Sequence, residues 1–369
     1  MGTVSVKWGQ KIAVVPAKFA HLLLGGTPPG TLAGRELAQR DRIFGRLASG
    51  HALVAAGTQT ELDALCDYVE RRTGEVRGPA GRGRRAAAAF PADLLLVEAV
   101  SGGFPGIQPE LRLPYLAELV GETVSPPAGA ALLVPWKRLR RLRQALAVQW
   151  PVNALENWLV AGEDVFAPKS QETYNLFRQA LESLQGELPA RAAVLDLGCG
   201  CGVLALIAAR VRAGIGGQVW ACDLMPEAVA STRLNVERLE AAGTLPEGAV
   251  QVLPAGDLFT PAGSRKFHLV VFNAPWVVAP VRSRVELASN DPGQETLRRF
   301  FREVPRHLGD KGAVVLGYAD NSGARAVERA KDLAGEAGLT ITREYSARVQ
   351  SHRKRRKWQR LYVWVLRRS

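Results

Sequence analysis

The chain reads as an α/β protein whose second half is built on a mostly parallel sheet covered by helices on both faces. Two observations predict this. From about Val165 onward, short apolar runs of strand length alternate with amphipathic stretches of helix length. Parallel strands need such a crossover to re-enter the same sheet. The run Val194–Gly202 (VLDLGCGCG) then ends an apolar strand in glycines and opens an apolar helix. That is the strand-to-helix crevice in which open α/β sheets hold ligands.

The elements expected in the second half follow in order. A helix over Gln171–Leu184 precedes strand Ala192–Leu197, helix Val203–Val211, strand Gln218–Cys222 and helix Pro226–Leu239. Strands Gln251–Pro254 and His268–Phe272 lead to helix Gln294–His307, strand Ala313–Tyr318 and helix Ala324–Ala337. The last strands, Thr340–Ser346 and Arg360–Leu366, have no helix between them. They predict an antiparallel hairpin at one edge of the sheet, joined by the loop Arg348–Trp358.

The first half reads as mixed α/β. Strands are expected at Lys11–Pro16, His51–Ala56, Ala92–Ala99 and Ala130–Pro135, and helices at Glu61–Arg72 and Lys137–Gln149. Thr60 is placed to cap the first of these helices. Arg77–Ala89 (RGPAGRGRRAAAA) reads as a loop or linker, and Pro126–Pro127 and Pro151 punctuate the exit. The expected division is residues 1–150, a scaffold or substrate-recruiting domain without chemical motifs, and residues 151–369, the chemical domain.

Composition narrows the function classes. With 47% hydrophobic and 22% charged residues among 369, the chain is no disordered, collagenous or coiled-coil protein. It has no apolar run of about 18 residues, so no spanning helix is expected, and the basic segment near the C-terminal end lacks an amphipathic helical face, so no membrane role is expected. The N-terminus lacks the order of a signal peptide, and the four cysteines do not form a disulfide framework; a cytoplasmic location is expected. The net charge of +13 is uneven: +7 over residues 1–150, −3 over 151–342 and +9 over 343–369. Basic ends around a near-neutral centre suit a polyanionic partner such as RNA or a ribosome, and equally a solvated basic surface. Two segments concentrate the charge, Lys137–Arg143 and Arg353–Lys357.

The glycine run carries the strongest chemistry. Gly198, Gly200 and Gly202 remove Cβ atoms so that a ligand can lie against the backbone. Two cofactor classes compete for such a turn. A dinucleotide fingerprint needs glycine at 203, where this chain has valine. The observed spacing, with Asp196 two residues before the first glycine, fits a nucleoside carrying an amino-acid tail. Asp196 can reach an ammonium, directly or through water. Asp223 ends the next strand, where a carboxylate can accept from ribose hydroxyls. Asp257 follows the third strand and can accept from an adenine amino group. Cys199 and Cys201 have no further ligands at metal-binding spacing, so they read as small turn fillers and no metal is expected.

Four segments in this order, VLDLGCGCGVLALIAA, CDLMPEAVASTRLNV, AGDLF and FNAPW, resemble class I S-adenosylmethionine-dependent methyltransferases, of the methyltransferase small domain type. The resemblance covers about Val165–Ser369. It implies a Rossmann-like seven-stranded sheet and S-adenosyl-L-methionine as the cofactor. Phe272-Asn273-Ala274-Pro275-Trp276 is similar to the (Asn/Asp/Ser)-Pro-Pro-(Tyr/Phe/Trp) signature of N-methyltransferases that act on planar nitrogen. A planar nitrogen has a delocalised lone pair and is a poor nucleophile. Hydrogen bonds from its N–H groups to Asn273 and the Ala274 carbonyl would hold it in line, with Pro275 fixing the backbone and Trp276 stacking on the planar group. Ala274 departs from the usual first proline, which leaves loop rigidity and acceptor choice open. Upstream, Pro168–Thr173 resembles the cofactor-closing segment of release-factor glutamine methyltransferases, which would put Glu172 and Thr173 beside the methionine tail. The extra N-terminal half resembles the arrangement of ribosomal-RNA guanine-N2 methyltransferases.

The resemblance therefore implies methylation of an RNA base or a protein glutamine of the translation apparatus. Two alternatives stand beside it: a small-molecule methyltransferase of secondary metabolism, and a non-catalytic RNA-binding factor that retains the cofactor fold.

Overall fold

The computed structural model describes residues 4–8, 11–16, 28–77, 91–122, 130–213, 217–351 and 357–369. These fall into two compact units, Met1–Ala145 and Leu146–Ser369.

The first unit contains β1 (Val4–Trp8), β2 (Lys11–Val15), β3 (Gly30–Ala33), α1 (Arg40–Ala48), β4 (Leu53–Thr58), α2 (Gln59–Arg77), β5 (Leu95–Ala99), β6 (Ile107–Gln108), α3 (Leu116–Leu119), β7 (Ala131–Pro135) and α4 (Trp136–Ala147). Its mixed sheet runs β1-β2-β7-β5-β4-β3, with β6 beside β4. The cap of α2 is Thr58, not Thr60. Its hydroxyl accepts the Glu61 N–H at 3.2 Å, and its own N–H donates to the Glu61 carboxylate at 2.8 Å. Thr58-Gln59-Thr60-Glu61 is a capping box, and a box places the cap three residues before the acid. The helix also runs to Arg77, leaving 78–89 of the expected loop, like Pro126–Pro127, outside the described residues.

Helix α4 turns much of its basic face onto α2. Trp136 donates its indole N–H to Asp63 at 2.9 Å, Lys137 pairs with Glu70 at 2.7 Å, and Arg140 bonds Glu70 at 2.9 Å and also Asp67. Arg143 donates to Gln59, and Arg138 is buried. Acids at 63, 67 and 70 share one face of α2, and residues 136, 137, 140 and 143 share one face of α4, by the helical repeat. Lys137–Arg143 thus serves largely to join two helices, with Lys137 and Arg140 packed against acids of α2.

The second unit begins with a short hairpin, β8 (Trp150–Val152) and β9 (Asn157–Leu159), and continues with α5 (Gln171–Ser183), β10 (Ala193–Leu197), α6 (Val203–Arg212), β11 (Gln218–Cys222), α7 (Pro226–Ala241), β12 (Val250–Val252), β13 (Phe267–Asn273), α8 (Glu295–His307), β14 (Leu308–Ala319), α9 (Ala324–Glu336), β15 (Leu339–Gln350) and β16 (Trp358–Arg368). The sheet order is β12-β11-β10-β13-β14-β16-β15. Strands β12 to β14 are parallel, and β16 runs antiparallel to both its neighbours. The terminal hairpin forms at the edge as expected, but its strands extend to Gln350 and from Trp358, so the connecting loop is shorter. Residues 352–356 of that loop lie outside the described residues.

Strand alternation sorts the core into two layers. Val194, Val219, Ala221, Leu269, Val271, Ala313 and Val315 face α5 and α6. Leu195, Leu197, Val270, Phe272, Val314 and Leu316 face α8 and α9. By this parity Asp196 and Asn273 point to the α5–α6 side, which decides what each can touch.

Candidate active site

A cavity of about 350 Å³ lies at the carboxyl ends of β10, β11 and β13. One wall is the glycine turn between β10 and α6. Gly198, Gly200 and Gly202 all have positive φ, at 69°, 58° and 89°. At Gly202 only glycine fits: a Cβ there would stand 2.9 Å from the Thr232 side chain.

The turn is held from several sides. The Cys199 N–H donates to the Cys222 carbonyl at 3.0 Å, and the Gly200 N–H to Asp223 Oδ2 at 2.9 Å. From α7, the Thr232 hydroxyl donates to the Gly200 carbonyl at 3.0 Å, and the Asn235 amide to the Cys201 carbonyl at 2.9 Å. Thr232 and Asn235 are fully buried.

Asp223 lines the cavity, and its second oxygen accepts the Met225 N–H at 2.9 Å. Burial raises its pKa; the N–H bonds from Met225 and Gly200 oppose this, and the Glu227 charge adds to it. Asp196 is fully buried behind the turn and does not line the cavity. Its Oδ2 accepts the Ala205 N–H in the first turn of α6 at 2.8 Å, while Oδ1 is buried without a hydrogen-bond partner. Burial pushes this carboxyl up to about 8, against the Ala205 bond and helped by the Asp223 charge. Of the two ways expected for Asp196 to reach a ligand, directly or through water, the direct one does not form: parity aims the side chain at α6, where it anchors the turn.

Three thiols, Cys199, Cys201 and Cys222, also border the cavity. Burial raises all three, Cys201 to about 12, so they stay protonated and uncharged. Among the described residues no group of three or more His, Cys, Asp or Glu is placed to hold a metal ion.

A second wall begins at Asn273–Trp276, at the end of β13, and all four residues line the cavity. Asn273 Oδ1 is buried without a hydrogen-bond partner. Room for this side chain comes from Gly317, its register partner on β14. A Cβ at 317 would meet Asn273 Oδ1 at 2.7 Å and the Phe177 ring at 2.6 Å. Ala274 is buried. Downstream, the Ser322 hydroxyl accepts the Val278 N–H at 2.8 Å and donates to the Trp276 carbonyl at 3.4 Å. This tether from the end of β14 braces a loop that lacks the first proline of the signature.

Asp257 lines the cavity too, with its carboxylate paired to Arg299 of α8. Glu172 and Thr173 do not. Glu172 is exposed, and Thr173 turns inward, its hydroxyl 2.7 Å from that of Ser170. The residue of α5 that reaches the cavity is Tyr174, one position on, because each helical step rotates the side chain by about 100°. Sequence reading also missed Gly317, Ser322 and Arg284. Each comes from a distant segment and has no local motif; the register of β13 on β14 is the signal that singles out Gly317.

Residues 173–331 match the family model of the methyltransferase small domain. The matched residues lie within the second unit. Its sheet order, with β16 antiparallel between β14 and β15, is the seven-stranded sheet expected from the class I resemblance. Curated relatives match parts of this chain. The ribosomal protein L11 methyltransferase of Bordetella parapertussis is 44% identical over 84 residues, 21% of this chain and 26% of that protein. The release factor glutamine methyltransferase of Geobacter sulfurreducens is 30% identical over 139 residues, 35% of this chain and 45% of that protein. That of Rhodopirellula baltica is 26% identical over 199 residues, 47% of this chain and 64% of that protein. The chain thus spans from about a quarter to just under two thirds of the length of these relatives.

Proposed function

We propose that this protein is an S-adenosylmethionine-dependent N-methyltransferase that modifies a planar nitrogen in a protein of the translation apparatus, in the cytoplasm. The observation that carries this reading is Asn273 Oδ1, a buried acceptor without a partner on the cavity wall, followed by Ala274-Pro275-Trp276. A buried amide oxygen left unpaired costs about 1–3 kcal/mol, which an N–H group of the acceptor substrate would recover.

The residues also fit the donor. When bound, S-adenosylmethionine supplies an electrophilic methyl group on a cationic sulfonium. Asp223 and the Gly198–Gly200 backbone would hold its nucleoside and tail, and Asp196 sets the turn from behind. Asp223, a lining carboxyl whose pKa burial raises, gains by facing a cationic ligand. Asp257 closes the adenine end, with Arg299 orienting it.

The protein's own work is then positional. Asn273 and the Ala274 carbonyl accept the acceptor's N–H bonds, orient its lone pair and keep it near the methyl. Trp276 packs on the planar group. Such alignment, not a strong base, lowers the barrier.

A protein target is favoured because the relatives above carry names of protein methyltransferases, and because Lys137 and Arg140 are engaged with acids of α2. RNA contact through 353–357 is the second reading. It draws on Trp358, exposed beside that segment with Arg348 5.1 Å over its ring, a pair on which a base can stack. The test is methyl transfer from radiolabelled S-adenosylmethionine into lysate separated into protein, RNA and small molecules. Label in protein is expected, with Asn273→Ala lowering it roughly 100-fold while donor affinity holds. Label only in small molecules overturns the translation reading, and an unaffected Asn273→Ala variant overturns the assigned role.

A further inference from the structure

After Trp276 the chain leaves the sheet and returns at Asp291. The base of this loop is zipped: the Val277 N–H donates to the Ser289 carbonyl, and the Asp291 N–H to the Val277 carbonyl, both at 2.8 Å. Its outer turn, Arg284–Ala288, has no buried residue and exposes Val285 and Leu287. Packing therefore does not hold it. Instead, Arg284 reaches across to α7, where its Nη2 lies 2.9 Å from both carboxylate oxygens of Glu227.

The two partners differ in exposure. Arg284 is 44% exposed, whereas Glu227 is fully buried. A buried carboxylate deprived of its counter-charge is strongly disfavoured, so the ion pair ties the loop to α7 more firmly than an exposed pair could. Glu227 lies one turn after Asp223, whose pKa its charge raises. Arg284 and Leu287 line the cavity. The loop thus starts at the acceptor motif and is anchored beside the donor carboxylate.

We propose that Arg284 and Glu227 are positioning residues: a clasp that holds the 277–290 loop across the cavity and sets how long the donor and its demethylated product remain bound. This rests on the donor assignment above. The experiment compares the full chain with Arg284→Ala, Glu227→Gln and the double variant. Three quantities are read: melting temperature, amide hydrogen exchange of 277–290 without donor, and dissociation of S-adenosylhomocysteine by stopped flow.

Arg284→Ala is expected to lower the melting temperature and speed both exchange and dissociation. The double variant also removes the buried Glu227 charge and should regain melting temperature. Its loop exchange and product dissociation should nevertheless remain roughly tenfold faster than in the unmodified protein. A double variant with unmodified exchange and dissociation overturns the clasp. Failure of the unmodified protein to bind S-adenosylhomocysteine overturns the donor assignment instead, and the donor-free exchange still decides whether the loop is clasped.

Discussion

The two walls of the cavity are built differently. The wall proposed to hold the donor is fixed over its whole length. Cys199, Gly200 and Cys201 are bonded through the backbone or by buried side chains of α7, and Asp196 anchors the first turn of α6 from behind. The wall proposed to hold the acceptor is fixed at points: the zipped base, the Ser322 tether and the Arg284–Glu227 pair. Its outer turn contributes nothing to the core. One donor chemistry calls for one rigid cradle. An acceptor wall fixed at a few points can change its outer surface without disturbing the sheet, so acceptor choice can vary on an unchanged donor site.

Substitutions that fill space test this contrast most strongly. Gly202→Ala combines a φ of 89° with a Cβ 2.9 Å from Thr232. It should cost about 2–4 kcal/mol in denaturant unfolding and abolish donor binding in calorimetry. A loss no larger than that of acceptor-wall variants would break the comparison.

Next comes Gly317→Ala, whose Cβ would press on Phe177 and Asn273. The expected cost is about 1–3 kcal/mol, with methyl transfer falling further than donor affinity because Asn273 is displaced. Equal losses in both would place Gly317 in the donor wall and sharpen the boundary between the walls.

The smallest effect concerns pH. The folded Asp196 carboxyl lies near 8, well above its ordinary value of 3.8, so between those values the donor-free folded state holds a proton that the unfolded chain has released. Stability from this group is full below its ordinary value and is lost as pH rises towards 8. The slope is at most about 1.4 kcal/mol per pH unit. Asp223 shifts in the same direction. Asp196→Asn should flatten the fall in melting temperature between pH 5 and 8. An unchanged profile would mean that Asp196 is not buried as a neutral acid.

Much of the second unit is legible in its residues. Gln218–Cys222 forms a strand with the expected bounds, and α6, α7 and α9 begin where the apolar periodicity begins. The first unit was less legible: β1, β3 and α1 were not foreseen, and the cap of α2 was placed two residues late. Short strands at the start of a chain carry few residues over which a period can show. The pairing of the basic stripe on α4 is not legible locally, because its acidic partners sit on another helix, some 70 residues away.

What the sequence alone determined is the class of chemistry. Glycines at fixed spacing, acids at strand ends and the Asn-Ala-Pro-Trp turn are local patterns, set by backbone conformation and by residues adjacent in the chain. Only the tertiary structure decided which of those side chains face the cavity. It turned Asp196 away, brought Tyr174 in place of Glu172 and Thr173, and made room for Asn273 through Gly317. Strand parity, sheet register and helix packing fix those directions, and each depends on contacts between segments far apart in the chain.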